Sequence, residues 1–590
     1  MPFSPDSSES SLSSLLFSRS TLSLTPSIDA CSSNLLTLSR SRLRESIRLF
    51  RPLSSSSEGP VIHVARHTVS RWLLRQTQVE EGKCSPFSME EGGSRRSYWL
   101  PLLMLYLLYF IGTPVWAVVI TGLWYIGLLH FEDRGHLDRY GVSRMLGIVL
   151  MVRTTRGQRF LERISSRRVF WRAFGEFSIW LCLLAMLGVV TLLVLSAIST
   201  AMAPPEEYLP ASDLLLIPGV TSFVPFWWPV IALVFALVIH EYSHGIQARA
   251  HGMRVRSFGL LLAGPVPIGA FAEPQMHEMV RAPRRERIRL YAAGPSINII
   301  ATYVALIVLS AAASGLVASN PGVYATGIIA DEGAEEAGLL PYEIITHIDG
   351  AEVPGNDEFS EQMGMLSSGD GAVFTVVSHP DSNGDRSERE VSVTLGDRYE
   401  YYVGLCGGEP ACVEETEDLL AEMGIERGDA FLGVSGLRSS SSSADYYSSI
   451  LSGGDTVSQS ALGAMVTPLA MIGVPIQYDG QTMLLEERAM LEASDGAIAS
   501  ALGTTGMLML FDFLFWLVWI NFLLGFANLI PMVPFDGGHI VKDGVHSILS
   551  RLTSGIHPMR VELMAERISR MGNFLILFIV VLPIMLPRLL

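Results

Sequence analysis

The chain is 590 residues long, 49% hydrophobic and 17% charged, with a formal net charge of −16 at pH 7. Its long uncharged runs reach the roughly 20 apolar residues that a helix needs to cross a hydrocarbon core, so a purely water-soluble protein is excluded. Residues 322–400 hold 17 acidic and 3 basic side chains, a local charge of −14 that excludes a phosphate-binding, nucleic-acid surface there.

Residues 1–98 are rich in Ser and Arg without an apolar period, which predicts a disordered segment. A targeting peptide, a plain tail, and an upstream start with Met89 as the real initiator all fit this composition, and the last is the reading adopted. The apolar stretch 100–131 carries Gly112 and Pro114, leaving a helical hairpin and a kinked helix both open. Ten arginines between 134 and 172, with amphipathic patterning around GIVLMVRTTRGQRFLERI, predict a cytoplasmic segment on the inner leaflet.

A span at 177–201 is followed by a loop with Glu206, Glu207 and Asp213 but no Lys or Arg, which therefore faces outward. Phe226, Trp227 and Trp228 sit where an interfacial belt belongs, ahead of a span at 230–248 running inward. Eight arginines between 249 and 289 mark the inside, and 292–313 returns outward. After a hydrophilic insert, 504–531 runs inward and 573–586 is a last, shorter span, for about six spans in all.

Within the insert, GLLPYEIITHIDGAEV, GAVFTVVSHP and REVSVTL alternate apolar and polar residues like half-buried strands, with an Asp-Gly hairpin turn ending at Gly350. The segment resembles a PDZ domain over about 80 residues, although Tyr342 and Glu343 replace the usual Gly-Asp. That resemblance implies a peptide C-terminus as a partner. The Ser- and Gly-rich stretch 439–460 reads as a linker. Cys406 and Cys412 flank a GGEPA loop and are read equally well as a disulfide or as two thiols.

The chemistry concentrates in HEYSHG, residues 240–245. On a helix His240 and His244 project from one face and can share a metal, with Glu241 beside them as a general base. Ionisable groups inside a span cost several kcal/mol unless a partner or a function offsets them. A zinc hydrolase site takes three protein ligands and leaves one position open, so a third ligand is expected from another span. NFLLGFANLIPMVPFDGGH, residues 521–539, offers Asp536 after two prolines and before two glycines, where regular helix cannot continue.

HExxH in one span and Asn-Leu-x-Pro-x-x-Pro-x-Asp-Gly-Gly in a later one resemble the site-2 protease family of intramembrane zinc metalloproteases. AAGPSINI (292–299) is similar to that family's small-residue helix start, and GLLLAGPVPIGAFAEPQ (259–275) to its substrate-positioning membrane hairpin. The resemblance covers about 170–590, with Phe535 standing where leucine is usual. By position it implies that His240, His244 and Asp536 bind one Zn2+ per chain, that Glu241 is the catalytic base, and that Asn528 contacts the substrate backbone. It also implies hydrolysis of transmembrane protein substrates within the lipid bilayer; the alternation of basic and acidic loops puts the insert on the extracytoplasmic side, in the cell membrane ahead of an organelle membrane.

The expected fold is an α-helical polytopic membrane protein with an inserted, mainly-β PDZ-like domain. Its expected divisions are 1–98; a membrane and basic segment at 99–173; catalytic core at 174–320 and 504–590; the PDZ-like domain at 321–400; and the remainder of the insert at 401–503. A metal transporter and a non-catalytic PDZ-bearing scaffold are the alternatives, and neither has a use for Glu241. Asp512 lies too far along its helix to join the site, His539 reads as a solvated histidine, and Cys182 as a core residue.

Overall fold

The computed structural model describes residues 99–589, except 111–113, 140, 146–148, 155–156, 204–209, 211–212, 214–215, 264–265, 381–385, 453–456 and 554. The expected disorder of 1–98, and the loop acids Glu206 and Glu207, lie outside the described residues.

The first apolar run folds as two helices, α1 (Trp99–Phe110) and α2 (Val115–Asp133). Pro114 sits at the start of α2 with φ −53°, where a missing N–H costs nothing. Leu105 lies against Gly122, so of the two open readings the run takes the hairpin. The arginine-rich stretch is helical only in part: it supplies strands β1 (Val142–Met145) and β2 (Val149–Thr154) before the short amphipathic helix α3 (Gln158–Ser165). Two long helices follow, α4 (Arg168–Met202) and α5 (Trp227–Ala250), and then the hairpin β3 (Val255–Ala263) and β4 (Val266–Pro274). β2 pairs with β3, making a four-stranded antiparallel sheet ordered β1-β2-β3-β4. β2 was not legible locally because its second ladder partner, β3, lies far away in sequence.

Helix α6 (Arg284–Ala313) leads into the insert, whose first strand is β5 (Leu316–Ala318). The main sheet follows: β6 (Val323–Ile328), β7 (Ile344–Ile348), β8 (Ala351–Glu352), helix α7 (Asn356–Met363), β9 (Gly371–Val377), β10 (Glu388–Thr394) and, much later, β11 (Val434–Ser439). The order is β10-β9-β7-β6-β11, with β8 on β7, so the sheet draws on residues either side of 400. Asp349 and Gly350, at φ 48° and 80°, form the two-residue turn between β7 and β8 that the Asp-Gly pair predicts. Tyr342 takes φ 63°, a conformation that favours glycine, and its ring stacks on Tyr324 at 5.7 Å. The buried Glu343 is paired by Arg389 at 2.6 Å. Between β10 and β11 the chain makes a helical excursion, α8 (Arg398–Gly404) and α9 (Pro410–Glu422), closed by a Cys406–Cys412 disulfide.

The stretch read as a linker is largely helix. α10 (Ser442–Ser449) drives Tyr447 against Phe511 and Phe515, with ring centroids 5.1 and 6.3 Å apart. Next, α11 (Val457–Ala470) leans on the spans, with Tyr303 Oη donating to the Met465 carbonyl at 3.0 Å, and just past its end Trp519 Nε1 donates to the Ile472 carbonyl at 3.4 Å. Serine content hid this order, because one well-placed tyrosine outweighs several weak helix formers.

The chain then passes through α12 (Leu485–Arg488) and β12 (Leu491–Ala493), which pairs with β5, into α13 (Ala497–Asn528), α14 (Asp536–Leu552) and α15 (Pro558–Leu589). The last span is thus part of a longer helix than the 573–586 expected. Among the described residues six helices are long and apolar enough to cross a membrane (α2, α4, α5, α6, α13 and α15), and the protein is a multi-pass membrane protein. Within their apolar windows α5, α6 and α13 are 50%, 50% and 61% buried, against at most 22% for the others, so these three form the inner bundle.

Adjacent residues of α12 fasten the insert to that bundle. Glu487, 2% exposed, accepts from the hydroxyls of Tyr324, Ser442 and Ser443. Arg488 grips Asp512 of α13 with two hydrogen bonds of 2.9 and 2.8 Å. Asp512 is therefore a structural anchor. Asp512→Ala should strand the Arg488 cation and cost about 1–3 kcal/mol, read as a lower thermal midpoint in detergent. Adding Arg488→Met should recover part of that loss.

Candidate metal centre

Helical spacing places His240 and His244 one turn apart on α5, and both are buried, with ring centroids 4.8 Å apart. Asp536 comes from just beyond the C-terminal end of α13. α13 stops at Asn528, the chain turns through two prolines, and α14 begins at Asp536. Gly537 and Gly538 let α14 start hard against its own entry loop: a Cβ on either would fall 2.5 Å from the Leu529 carbonyl oxygen or 2.3 Å from Met532.

The three side chains converge. Asp536 Oδ2 lies 3.2 Å from His240 Nε2 and 3.3 Å from His244 Nε2. A tetrahedral ion bound at about 2.0–2.1 Å would hold neighbouring ligand atoms roughly 3.4 Å apart, so the donor set fits zinc in chemistry and in size. The opposite ring nitrogens face acceptors. His244 Nδ1 is 2.7 Å from the Leu290 carbonyl, and His240 Nδ1 is 3.0 Å from Asn298 Oδ1. Both contacts call for a proton on Nδ1, which leaves the Nε2 lone pairs aimed at the cluster.

Space is kept for an ion as well. Gly294 of α6 faces the cluster, and a methyl group there would lie 2.5 Å from His244 Nε2 and 2.6 Å from His240 Nε2. Glu241 stands beside the histidines, the donor atoms of all three lying within 4.8 Å of one another, and its Oε2 accepts the Ala272 backbone N–H at 2.7 Å. That N–H belongs to β4, so the hairpin 259–275 does reach the cluster.

Asn528 ends α13 just before the turn to Asp536, and its Nδ2 donates to the Leu524 carbonyl at 2.9 Å. His539 is stacked on Tyr291 at 4.7 Å and 13° rather than simply solvated. Behind that stack lies a cavity of about 300 Å³ lined by Arg284, Arg287, Asp543, His546 and Glu562. Burial, and then the nearby Arg284 cation, hold His546 below its ordinary pKa. The neutral ring can therefore accept from the Arg284 guanidinium, 2.9 Å away. Cys182 is a core residue that contacts Ser296 and the Ala292 carbonyl. Sequence reasoning missed Asn298, Asn521, Gly294 and the Ala272 N–H. Two buried asparagines in apolar spans were the available signal.

The residue types and geometry make a cluster that could hold a metal ion inside a helical membrane bundle. The model of peptidase family M50 matches residues 228–571, which include the whole cluster, and the chain belongs to that family, the site-2 protease family. An uncharacterised protein of Methanocaldococcus jannaschii is 31% identical over 202 residues, 34% of this chain and 51% of that protein. The chain thus spans about half the length of that relative. A protein of Mesorhizobium japonicum, named as a zinc metalloprotease, is 25% identical over 405 residues, 60% of this chain and 95% of its own length. Another so named, from Xylella fastidiosa, is 25% identical over 272 residues, 39% of this chain and 58% of its own.

Gly294→Ala fills the space between the two Nε2 atoms and should abolish metal loading while helix content by circular dichroism stays unchanged. Full metal content in that variant would place the ion elsewhere.

Proposed function

We propose that the protein is an intramembrane zinc metalloprotease that cuts membrane-anchored substrates within or near their transmembrane helices. The observation that carries this reading is the meeting of His240 Nε2, His244 Nε2 and Asp536 Oδ2 at 3.2–3.3 Å with Glu241 alongside. His240, His244 and Asp536 would hold one zinc ion, which supplies Lewis acidity toward water and the scissile carbonyl. Glu241 accepts a proton from the attacking water and returns it to the leaving amine. Its present partner, the Ala272 N–H, places the hydrolytic carboxylate beside β4, against which an extended substrate segment can be held. A transmembrane helix must unwind there, since its carbonyls are otherwise bonded within the helix. Asn528, at the lip of the turn that carries Asp536, contacts the substrate backbone.

The arginine-rich segments 134–172 and 249–289 face the cytoplasm and the insert faces outward, in the cell membrane. The Cys406–Cys412 bond supports this placement, since disulfides persist in oxidising compartments. The sheet of the insert acts as a PDZ-like module. β11 is its edge strand beside α7, which offers an extended peptide such as a freshly cut C-terminus a place to pair.

Glu241→Gln should keep about one zinc per chain yet lower peptide hydrolysis by 10²–10⁴-fold, whereas His240→Ala should lose the metal. Zinc retained at full stoichiometry in His240→Ala would refute the ligand assignment. For orientation, single cysteines at the exposed Ser360 and Arg281 should differ toward an impermeant thiol reagent, with only Ser360→Cys labelled in intact cells. The reverse pattern would invert the topology.

A further inference from the structure

We infer that Asn298, itself oriented by Asn521, is the positioning residue that sets the tautomer and aim of His240. This rests on the reading that His240 binds zinc.

An amide side chain has two unlike ends, and which end faces an imidazole decides which ring nitrogen keeps the proton. Asn298 offers Oδ1 to His240 Nδ1 at 3.0 Å. Its Nδ2 points the other way, to the Ala236 carbonyl at 3.4 Å and to Asn521 Oδ1 at 3.3 Å. Turned over, Asn298 would set its oxygen against two acceptors and its NH2 against Nδ1. That flip would push the proton to Nε2, the atom nearest Asp536.

Asn521 closes the same argument one step further out. Its Nδ2 donates to the Leu517 carbonyl at 2.8 Å, so Oδ1 is the end left for Asn298. Both asparagines are 0% exposed, so no bulk water is at hand to make good a wrong orientation. The relay crosses three spans: Leu517 and Asn521 on α13, Asn298 on α6, and Ala236 and His240 on α5.

The two histidines are therefore supported unequally. His244 leans on the Leu290 backbone carbonyl, which no substitution removes. His240 depends on side chains. Loss of a hydrogen-bond partner behind a metal ligand typically costs 10–100-fold in metal affinity, and here that sensitivity falls on one asparagine.

The test measures zinc affinity of the full chain in detergent by competition with a chelator, together with the visible spectrum of the cobalt-substituted protein. Asn298→Leu, close in volume but without polar atoms, should bind zinc about 10–100-fold more weakly and alter the cobalt bands. Asn521→Asp should behave nearly as wild type, because a buried, neutral carboxyl can donate to Leu517 and accept from Asn298. Asn521→Leu should lie between these two. This pair decides the matter even if Asn298→Leu does not fold, and equal zinc affinity for Asn521→Asp and Asn521→Leu would overturn the relay. Wild-type affinity in Asn298→Leu, with the metal lost in His240→Ala, would also overturn it while leaving the zinc reading intact. Zinc retained in His240→Ala would remove both.

Discussion

Polar atoms at the depth of a hydrocarbon core have no water to turn to, so each must find a partner within the protein or cost several kcal/mol. The cluster of His240, His244 and Asp536 is arranged under that constraint. Each outward-facing Nδ1 ends on an acceptor, one the Leu290 carbonyl and the other Asn298, whose own amide hydrogens are used in turn. The inward-facing Nε2 atoms end on Asp536. The three helices that carry the histidines and the amides behind them are also the three most buried spans, which follows from the same need to enclose polar groups.

Asp536 illustrates how irregular backbone is tolerated at such depth. Residues 529–535 leave the helix, and glycines 537 and 538 allow α14 to begin in contact with that turn, so the break packs on protein. On the other side, the sheet β1-β2-β3-β4 brings an N–H of β4 to Glu241. The cluster therefore sits between an interrupted helix and a strand.

The insert is fastened through two adjacent residues. Glu487 gathers hydroxyls from β6 and α10, and Arg488 holds Asp512 in α13, the helix that carries Asn521 and leads to Asp536. The acidic sheet is thus not hung on a free linker. α10, α11 and the residues just after α11 pack on the spans through Tyr447, Met465 and Ile472.

Much of this was open to reading from the chain alone, because it depends on short-range geometry. The spacing of His240 and His244 is enforced by helical periodicity, and the Pro and Gly residues around Asp536 forbid regular helix wherever the segment lies. The six apolar runs answer to bilayer thickness, and the Asp349-Gly350 turn to local φ preference. What tertiary structure alone decided are the contacts whose partners are remote in sequence. The strand at 149–154 is held in a sheet by the remote β3, and the serine-rich 442–449 is helical because Tyr447 finds Phe511 and Phe515. Asn298 meets His240 only because three spans pack at one level, and Gly294 matters only because two imidazoles face it. Local pattern can specify which residue types stand on a helix face, but which face meets which is settled by packing among helices, and so are the hydrogen bonds that aim a ligand.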